Sequence, residues 1–160
     1  MRTTVHTVHG FIWRMLGIAA IVAIASFTVT ALHAQQKVNT GRGGLAIKGY
    51  DPVAYFTDGR PVKGDPRFTH TFEGATYQFA SASSRDEFAK EPSRFVPQFG
   101  GFCAWAVSRN YTADTDPLAW RVVNGKLYLN YSTRVQAKWE EDVPGNIQKG
   151  DTNWPALSRR

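Results

Sequence analysis

The sequence is poor in the residues that bind transition metals. Its 160 residues include one cysteine, Cys103, two methionines and four histidines. Both methionines and three of the histidines precede residue 35, so only Cys103 and His70 remain beyond that point. A zinc site needs three or four Cys or His ligands, and a blue-copper site needs two His, one Cys and an axial Met. The chain after residue 34 therefore builds neither site by itself, and an internal disulfide is excluded.

The main part of the chain also lacks an excess of charge of either sign. The formal net charge of +6 arises at the two ends, because residues 45–157 contain 13 basic and 13 acidic residues. Nucleic-acid binding requires a basic face, and the sequence predicts none. A Gly-x-Ser-x-Gly elbow and a glycine-rich phosphate loop are absent as well, which argues against a serine hydrolase and a nucleotide-binding enzyme.

Residues 1–34 have the pattern of a secretory signal peptide. Positions 1–15 contain two arginines and no acid, and the apolar run LGIAAIVAIASFTVTAL fills residues 16–32. We expect cleavage after Ala34, export to the periplasm or medium by the Sec route, and no stable membrane insertion afterwards. The alternative is an uncleaved N-terminal anchor, because such a run is at the short end of a membrane span. Both interpretations place the domain outside the cytoplasm.

The remaining sequence predicts a small α+β single domain of antiparallel hairpins and short helices. We expect a flexible lead-in over residues 35–45, a domain over 46–157 and a basic tail over 158–160. Two hairpins are predicted, one around Glu73-Gly74 and one around Asn124-Gly125. Predicted helices begin with a capping box at Ser84, run over residues 133–142 until Pro144, and add a last turn near Trp154.

Several motifs in order give the chain a resemblance to a known family. They are GYDPVAYF (49–56), PQFGGFCAWAV (97–107), DPLAW (116–120), GKLYLNY (125–131) and NWP (153–155). With them, residues 46–155 resemble the YHS domain family, in particular its exported bacterial branch. The resemblance implies a YHS-like fold. Cys-rich members of the family are thought to bind metal, but their ligand positions are occupied here by Ala54, Phe56, Ala80 and Ser84. That metal site therefore does not carry over.

The lone Cys103 is the chemically distinctive residue. Some relatives of this branch carry selenocysteine, and the resemblance implies redox chemistry at the position of Cys103. If Gly100 and Gly101 open a helix at Cys103, free N–H groups stabilise its thiolate, and Arg94 and Arg109 add positive charge. The alternative is a buried structural cysteine, because its neighbours are apolar.

Three further residues are candidates for a supporting role. His70 lies in a predicted strand, where it is either a ligand beside Cys103 or a packed ring. Asp51 precedes a proline in a turn, where it forms an Asx turn or serves as an acid–base partner of His70. Tyr50 either lines a ligand cleft or belongs to an aromatic core.

These residues lead to one main functional hypothesis and two alternatives. The main hypothesis is a monomeric periplasmic binding or accessory module that acts through Cys103. Such a thiol reacts with a partner protein or small thiol, or binds a thiophilic ion such as copper together with His70. The first alternative is a structural or partner-binding domain with an inert, buried cysteine. The second is an enzyme that uses His70 and a carboxylate such as Asp51 in a cleft. No organic cofactor is predicted.

Overall fold

The structure is a computed structural model, and it describes residues 37–159. The predicted signal peptide lies outside the described residues. The helices are α1 (Ala54–Thr57), α2 (Ala82–Lys90), α3 (Pro92–Phe95), α4 (Ala104–Ser108), α5 (Thr133–Glu140) and α6 (Val143–Leu157), and the strands are β1 (Asp65–Phe72), β2 (Ala75–Phe79), β3 (Asp116–Val123) and β4 (Lys126–Asn130). Short 3-10 turns occupy Arg42–Gly44, Ile47–Gly49 and Gln98–Gly101. No helix within residues 37–159 has the length and apolar character needed to cross a membrane.

The strands form two separate antiparallel hairpins, β1–β2 and β3–β4. The second hairpin turns at Asn124 and Gly125, whose φ angles of 50° and 71° are both left-handed. Such angles match a type I′ turn, whose twist suits the flanking strands and which favours Asn-Gly. Both predicted hairpins and the predicted α+β class are therefore confirmed.

Strand β4 separates two apolar clusters. Side chains alternate along a strand, so Leu127 and Leu129 enter one cluster while Tyr128 enters the other. The first cluster comprises Ala46, Ile47, Val53, Tyr55, Ala75, Tyr77, Phe79, Phe88, Phe95, Leu127 and Leu129. The second comprises Phe99, Ala104, Val107, Tyr128, Trp139 and Leu157. Both faces of β4 are therefore buried, which explains its nearly continuous apolar sequence.

The start of α2 differs from the sequence prediction. The predicted capping box places the helix start at Ser84, whereas the N-cap is Ser81, whose side chain accepts a hydrogen bond from the Ser84 N–H at 3.1 Å. The hydroxyl of Ser84 instead donates to the carboxylate of Asp51 at 2.5 Å. The hydroxyl of Ser84 thus binds Asp51, which is 33 positions away in the chain, and does not cap α2. The local sequence pattern does not show such a distant partner.

The C-terminal helix is also longer than predicted. The sequence predicts that Pro144 stops α5 and that only one further helical turn follows. Instead α5 ends at Glu140, and Pro144 lies in the first turn of the 15-residue α6. Proline is tolerated there because the first N–H groups of a helix have no intrahelical partner. The interior glycine Gly150 permits close packing, since a Cβ at this position would lie 2.5 Å from the ring of Phe99.

Replacing Gly150 by Ala tests this packing. Alanine favours a helix, but its methyl group would force the ring of Phe99 out of its position, and we expect a net loss of about 1–3 kcal/mol in the free energy of unfolding. Urea denaturation of the variant and the wild type measures this loss of stability. The control is Gly41→Ala, because Gly41 has an ordinary φ of −80° and only ordinary contacts. Equal stability of both variants would contradict the proposed contact.

Candidate functional site

Cys103 lies at the start of α4 and is buried. It is the N-cap residue of the helix, and only 1% of its surface is exposed. Its N–H donates to the carbonyl of Ala113 at 3.0 Å, and its carbonyl accepts from the N–H of Val107 at 2.9 Å. The helix start predicted after the two glycines is therefore present, but the sulfur at this start faces the interior.

Two hydrogen bonds engage the sulfur. The N–H of Tyr131 donates to Sγ at 3.3 Å, and Sγ donates to Oδ1 of Asn130 at 3.8 Å. The same Oδ1 accepts from the N–H of Trp105 at 3.2 Å. Burial raises the pKa of the Cys103 thiol, and backbone N–H groups, first that of Ala106, oppose this rise. Because the rise prevails, the thiol stays protonated at neutral pH and acts as a hydrogen-bonded core group.

The two arginines that the sequence placed near the sulfur lie on aromatic rings instead. The guanidinium carbon of Arg109 is 3.8 Å from the ring centroid of Trp105, and that of Arg94 is 5.2 Å from the ring centroid of Phe95. Neither arginine is among the causes of the shifted pKa of Cys103. In the described part of the chain, the hypothesis of a thiolate stabilised by arginine therefore has no support.

Gly100 and Gly101 fix the lead-in against the domain. The carbonyl of Gly100 accepts from the N–H of Asn39 at 2.8 Å, and that of Gly101 accepts from Asn39 Nδ2 at 3.1 Å. Gly100 has a φ of 58°, and a Cβ there would collide with the carbonyl oxygen of Lys37. These contacts hold Asn39, in the described part of the lead-in, against the domain. The glycine pair therefore allows two backbone segments to approach closely.

His70 and Tyr50 lie in other surroundings. The half-buried ring of His70 packs edge-on against Phe88, with 5.6 Å between the ring centroids. The Nζ atom of Lys63 lies over the ring of Tyr50, 4.7 Å from the ring centroid. No hydrogen bond or ion pair joins His70 to a carboxylate or to Cys103 within residues 37–159, and no group of three His, Cys, Asp or Glu there could hold a metal ion. The structure thus does not assemble the hypothesised Cys103–His70 site.

Asp51 is a buried carboxylate with three donors. Its Oδ1 accepts from the N–H of Val53 at 2.9 Å, which is the Asx turn indicated by the sequence. Its Oδ2 accepts from the N–H of Ala80 at 2.9 Å and from the hydroxyl of Ser84 at 2.5 Å. Only 1% of the residue is exposed. Asp51 therefore links the turn before α1 to the end of β2 and to α2, and it does not meet His70.

A cavity of about 330 Å³ opens between the first hairpin and α6. Its lining residues are Val38, Phe72, Glu73, Tyr77, Ser93, Val96, Pro97, Gln98, Phe99, Gly100, Asp151 and Trp154. The sequence analysis assigned no functional role to Glu73 or Asp151. The sequence identifies Glu73 only as a residue of a hairpin turn. Asp151 lies in α6, of which the sequence predicts only the last turn. Local sequence carries no signal that brings these two carboxylates together.

A comparison of the chain with protein-family models, curated proteins and solved structures finds no match. The membership in the YHS family therefore stays a prediction from the motifs quoted above.

Substitution of Asp51 tests its role as a link. Asp51→Ala leaves the buried N–H of Val53 and the part-buried N–H of Ala80 without their acceptor, and we expect a loss of about 2–4 kcal/mol in the free energy of unfolding. Asp51→Asn should lose nearly as much, because its NH2 group meets an N–H donor on either side. Ser84→Ala is the milder control, with a loss of about 1 kcal/mol. Wild-type stability of Asp51→Asn in urea denaturation would contradict this role.

The raised pKa of Cys103 predicts a specific pH dependence of stability. In the unfolded chain the thiol ionises near its ordinary pKa, whereas in the folded protein it stays protonated to higher pH. The unfolded state then binds fewer protons, so stability falls as the pH rises above about 9. Cys103→Ser keeps a donor and an acceptor but does not titrate there. The stability of the wild type relative to Cys103→Ser should therefore be constant from about pH 6 to 8 and decline above about 9. A constant difference at all pH values would contradict the burial effect.

Proposed function

We propose that this protein is an exported binding module with a YHS-like fold, in which Cys103 is a structural residue. One observation carries the proposal: Cys103 is only 1% exposed, and the hydrogen bonds of its sulfur go to Asn130 and Tyr131. A thiol that attacks a partner or captures a metal must be accessible and must ionise readily. Burial opposes both requirements.

The cavity between the first hairpin and α6 supports binding as the activity. Pockets of about 300–1,000 Å³ with a few convergent polar groups are typical of small-molecule sites. The cavity has this size at the lower end, and it combines aromatic rings with two carboxylates. Acid–base catalysis finds less support, because no hydrogen bond or ion pair joins His70 to a carboxylate within residues 37–159.

Thiol chemistry at Cys103, by redox exchange or copper capture, remains the competing function. One observation favours it: the backbone N–H groups of Ala106, Tyr131 and Trp105 all act to lower the pKa of the thiol. If the segment around exposed Tyr131 opened and admitted a reactant, the N–H groups of Ala106 and Trp105 at the start of α4 would still stabilise a thiolate. The two functions differ in whether the thiol reacts in the folded protein.

The rate of alkylation of Cys103 by iodoacetamide decides between the two functions. A reference thiol is provided by Ser83→Cys in a Cys103→Ser background, because Ser83 is exposed on α2. We expect Cys103 in the folded protein to react at least about a thousandfold more slowly than this reference, since reaction requires unfolding. In urea the two rates should become equal.

The opposite result is equally clear. Alkylation of native Cys103 at the reference rate, persisting below neutral pH, would show an accessible thiolate and overturn the proposal. A parallel anaerobic titration with Cu(I) extends the test. Copper retained by the folded wild type and lost from Cys103→Ser would likewise favour the competing function.

A further inference from the structure

The charge of the cavity between the first hairpin and α6 has one sign. Among the residues that line it, the charged ones are Glu73, in the turn after β1, and Asp151, on α6. Both are exposed, and neither forms an ion pair or accepts a hydrogen bond within residues 37–159. Many other acids of the domain are paired with a lysine, an arginine or a backbone N–H. The cavity therefore presents uncompensated negative charge from two of its walls.

The negative charge acts on the aromatic groups of the same region. Burial is the larger cause of the raised pKa of Tyr77, and the carboxylate of Glu73 raises it further. Burial likewise raises the pKa of Tyr128, with Asp151 as the second cause. Each carboxylate therefore lies close enough to its tyrosine to disfavour a negative charge there. The same carboxylate would favour a positive charge near these rings.

Four aromatic residues belong to the remaining lining. Phe72, Tyr77, Phe99 and Trp154 contribute, and the ring centroids of Phe99 and Trp154 are 6.0 Å apart with an angle of 58° between the rings. The face of an aromatic ring carries partial negative charge and attracts cations, most strongly in tryptophan. The rings and the carboxylates of this cavity thus favour the same kind of ligand, namely a cation that also has apolar groups.

The neighbouring rings already hold an ammonium of the chain. The Nζ atom of Lys37 lies 5.3 Å from the ring centroid of Phe102, and Phe102 packs against Trp154 with 6.0 Å between centroids. Lys37 itself does not line the cavity. This arrangement is an internal example of the contact that a bound cation would make with Trp154.

We propose that the cavity binds a small organic ammonium ion, with Glu73 and Asp151 as counter-charges and Trp154 and Phe99 as the aromatic surface. The inference rests on the proposed binding function and names its ligand class. The volume of about 330 Å³ admits a ligand of the size of choline and is small for a folded peptide segment. Anions are disfavoured because both lining charges are negative.

Calorimetric titration of the chain lacking residues 1–34 tests the proposal with choline as the probe. Its carbon isostere, 3,3-dimethylbutan-1-ol, has the same shape without the charge. We expect saturable binding of one choline, with at least about tenfold weaker binding of the isostere, and a loss of choline affinity as salt is added. Equal binding of the two compounds, or no binding of choline, would overturn the inference. Tighter binding of the tripeptide Gly-Lys-Gly than of choline would do the same, since it would assign the site to a peptide side chain.

The double substitution Glu73→Gln and Asp151→Asn tests the carboxylates while it preserves their shape. Because both side chains are exposed, we expect unchanged folding and about fivefold weaker choline binding. Glu141→Gln is the matched control, since Glu141 is an exposed acid outside the cavity, and it should bind choline like the wild type. Unchanged affinity in the double variant would contradict the assigned role.

The two proposals fail in different ways. Absence of choline binding with an unreactive native Cys103 would remove the ammonium site and leave the binding module. Rapid alkylation of native Cys103 would overturn the proposed function, whether or not choline binds.

Discussion

The burial of β4 on both faces is the constraint on which the rest of the structure depends. In a two-stranded hairpin one face is usually open to water, but four of the five residues of β4 are buried. Leu127 and Leu129 hold the first cluster, and Tyr128 holds the second. Complete burial of each such side chain contributes about 1.5–3 kcal/mol. The helices must therefore cover the hairpin from two sides, and the two clusters share a single strand.

Asn130 is the buried polar residue of this strand, and its contacts explain the cysteine two residues after the glycine pair. Its Oδ1 accepts from the N–H of Trp105 and from the thiol of Cys103, which joins the end of β4 to the start of α4. Beyond the strand end, the N–H of Tyr131 needs an acceptor and finds the sulfur. A cysteine at this position fills a small apolar space and satisfies a backbone donor at the same time. This role requires no reactivity.

The sequence predicts those parts of the fold that depend on local conformation. Asn124-Gly125 specifies a left-handed turn by itself, and the Asx turn at Asp51 involves a donor only two residues away. The sequence predictions are wrong where a residue that is distant in the chain determines the local structure. The side chain of Ser84 binds Asp51 instead of capping α2, and α6 continues through Gly150, where a side chain would collide with the ring of Phe99.

The site shows the same division between local and distant information. The apolar neighbours of Cys103 left burial and reactivity both open, because the position of Asn130 and Tyr131 at the sulfur depends on the register of β4. The cavity carboxylates are harder still to predict, since Glu73 and Asp151 come together through the packing of a hairpin and a helix 78 positions apart in the chain. A neutral domain can therefore contain a cavity whose two charged lining residues are both acidic, because the balance of charges over the whole domain does not show which acids lack a partner.

The segment from Phe99 to Cys103 joins the two regions and gives the PQFGGFC motif a physical reason. Phe99, Gly100 and Gly101 have successive left-handed φ angles of 55°, 58° and 78°. For a bulky residue such as Phe99 this conformation costs about 1–3 kcal/mol, so the surrounding structure must hold it in place. Asn39 holds it from the lead-in, and Cys103 anchors its far end to β4. As a result, Phe99 and Gly100 line the cavity between the first hairpin and α6. The glycine pair that suggested a stabilised thiolate in the sequence therefore belongs to a segment that places Phe99 at the proposed ammonium site, and Cys103 anchors this segment to β4.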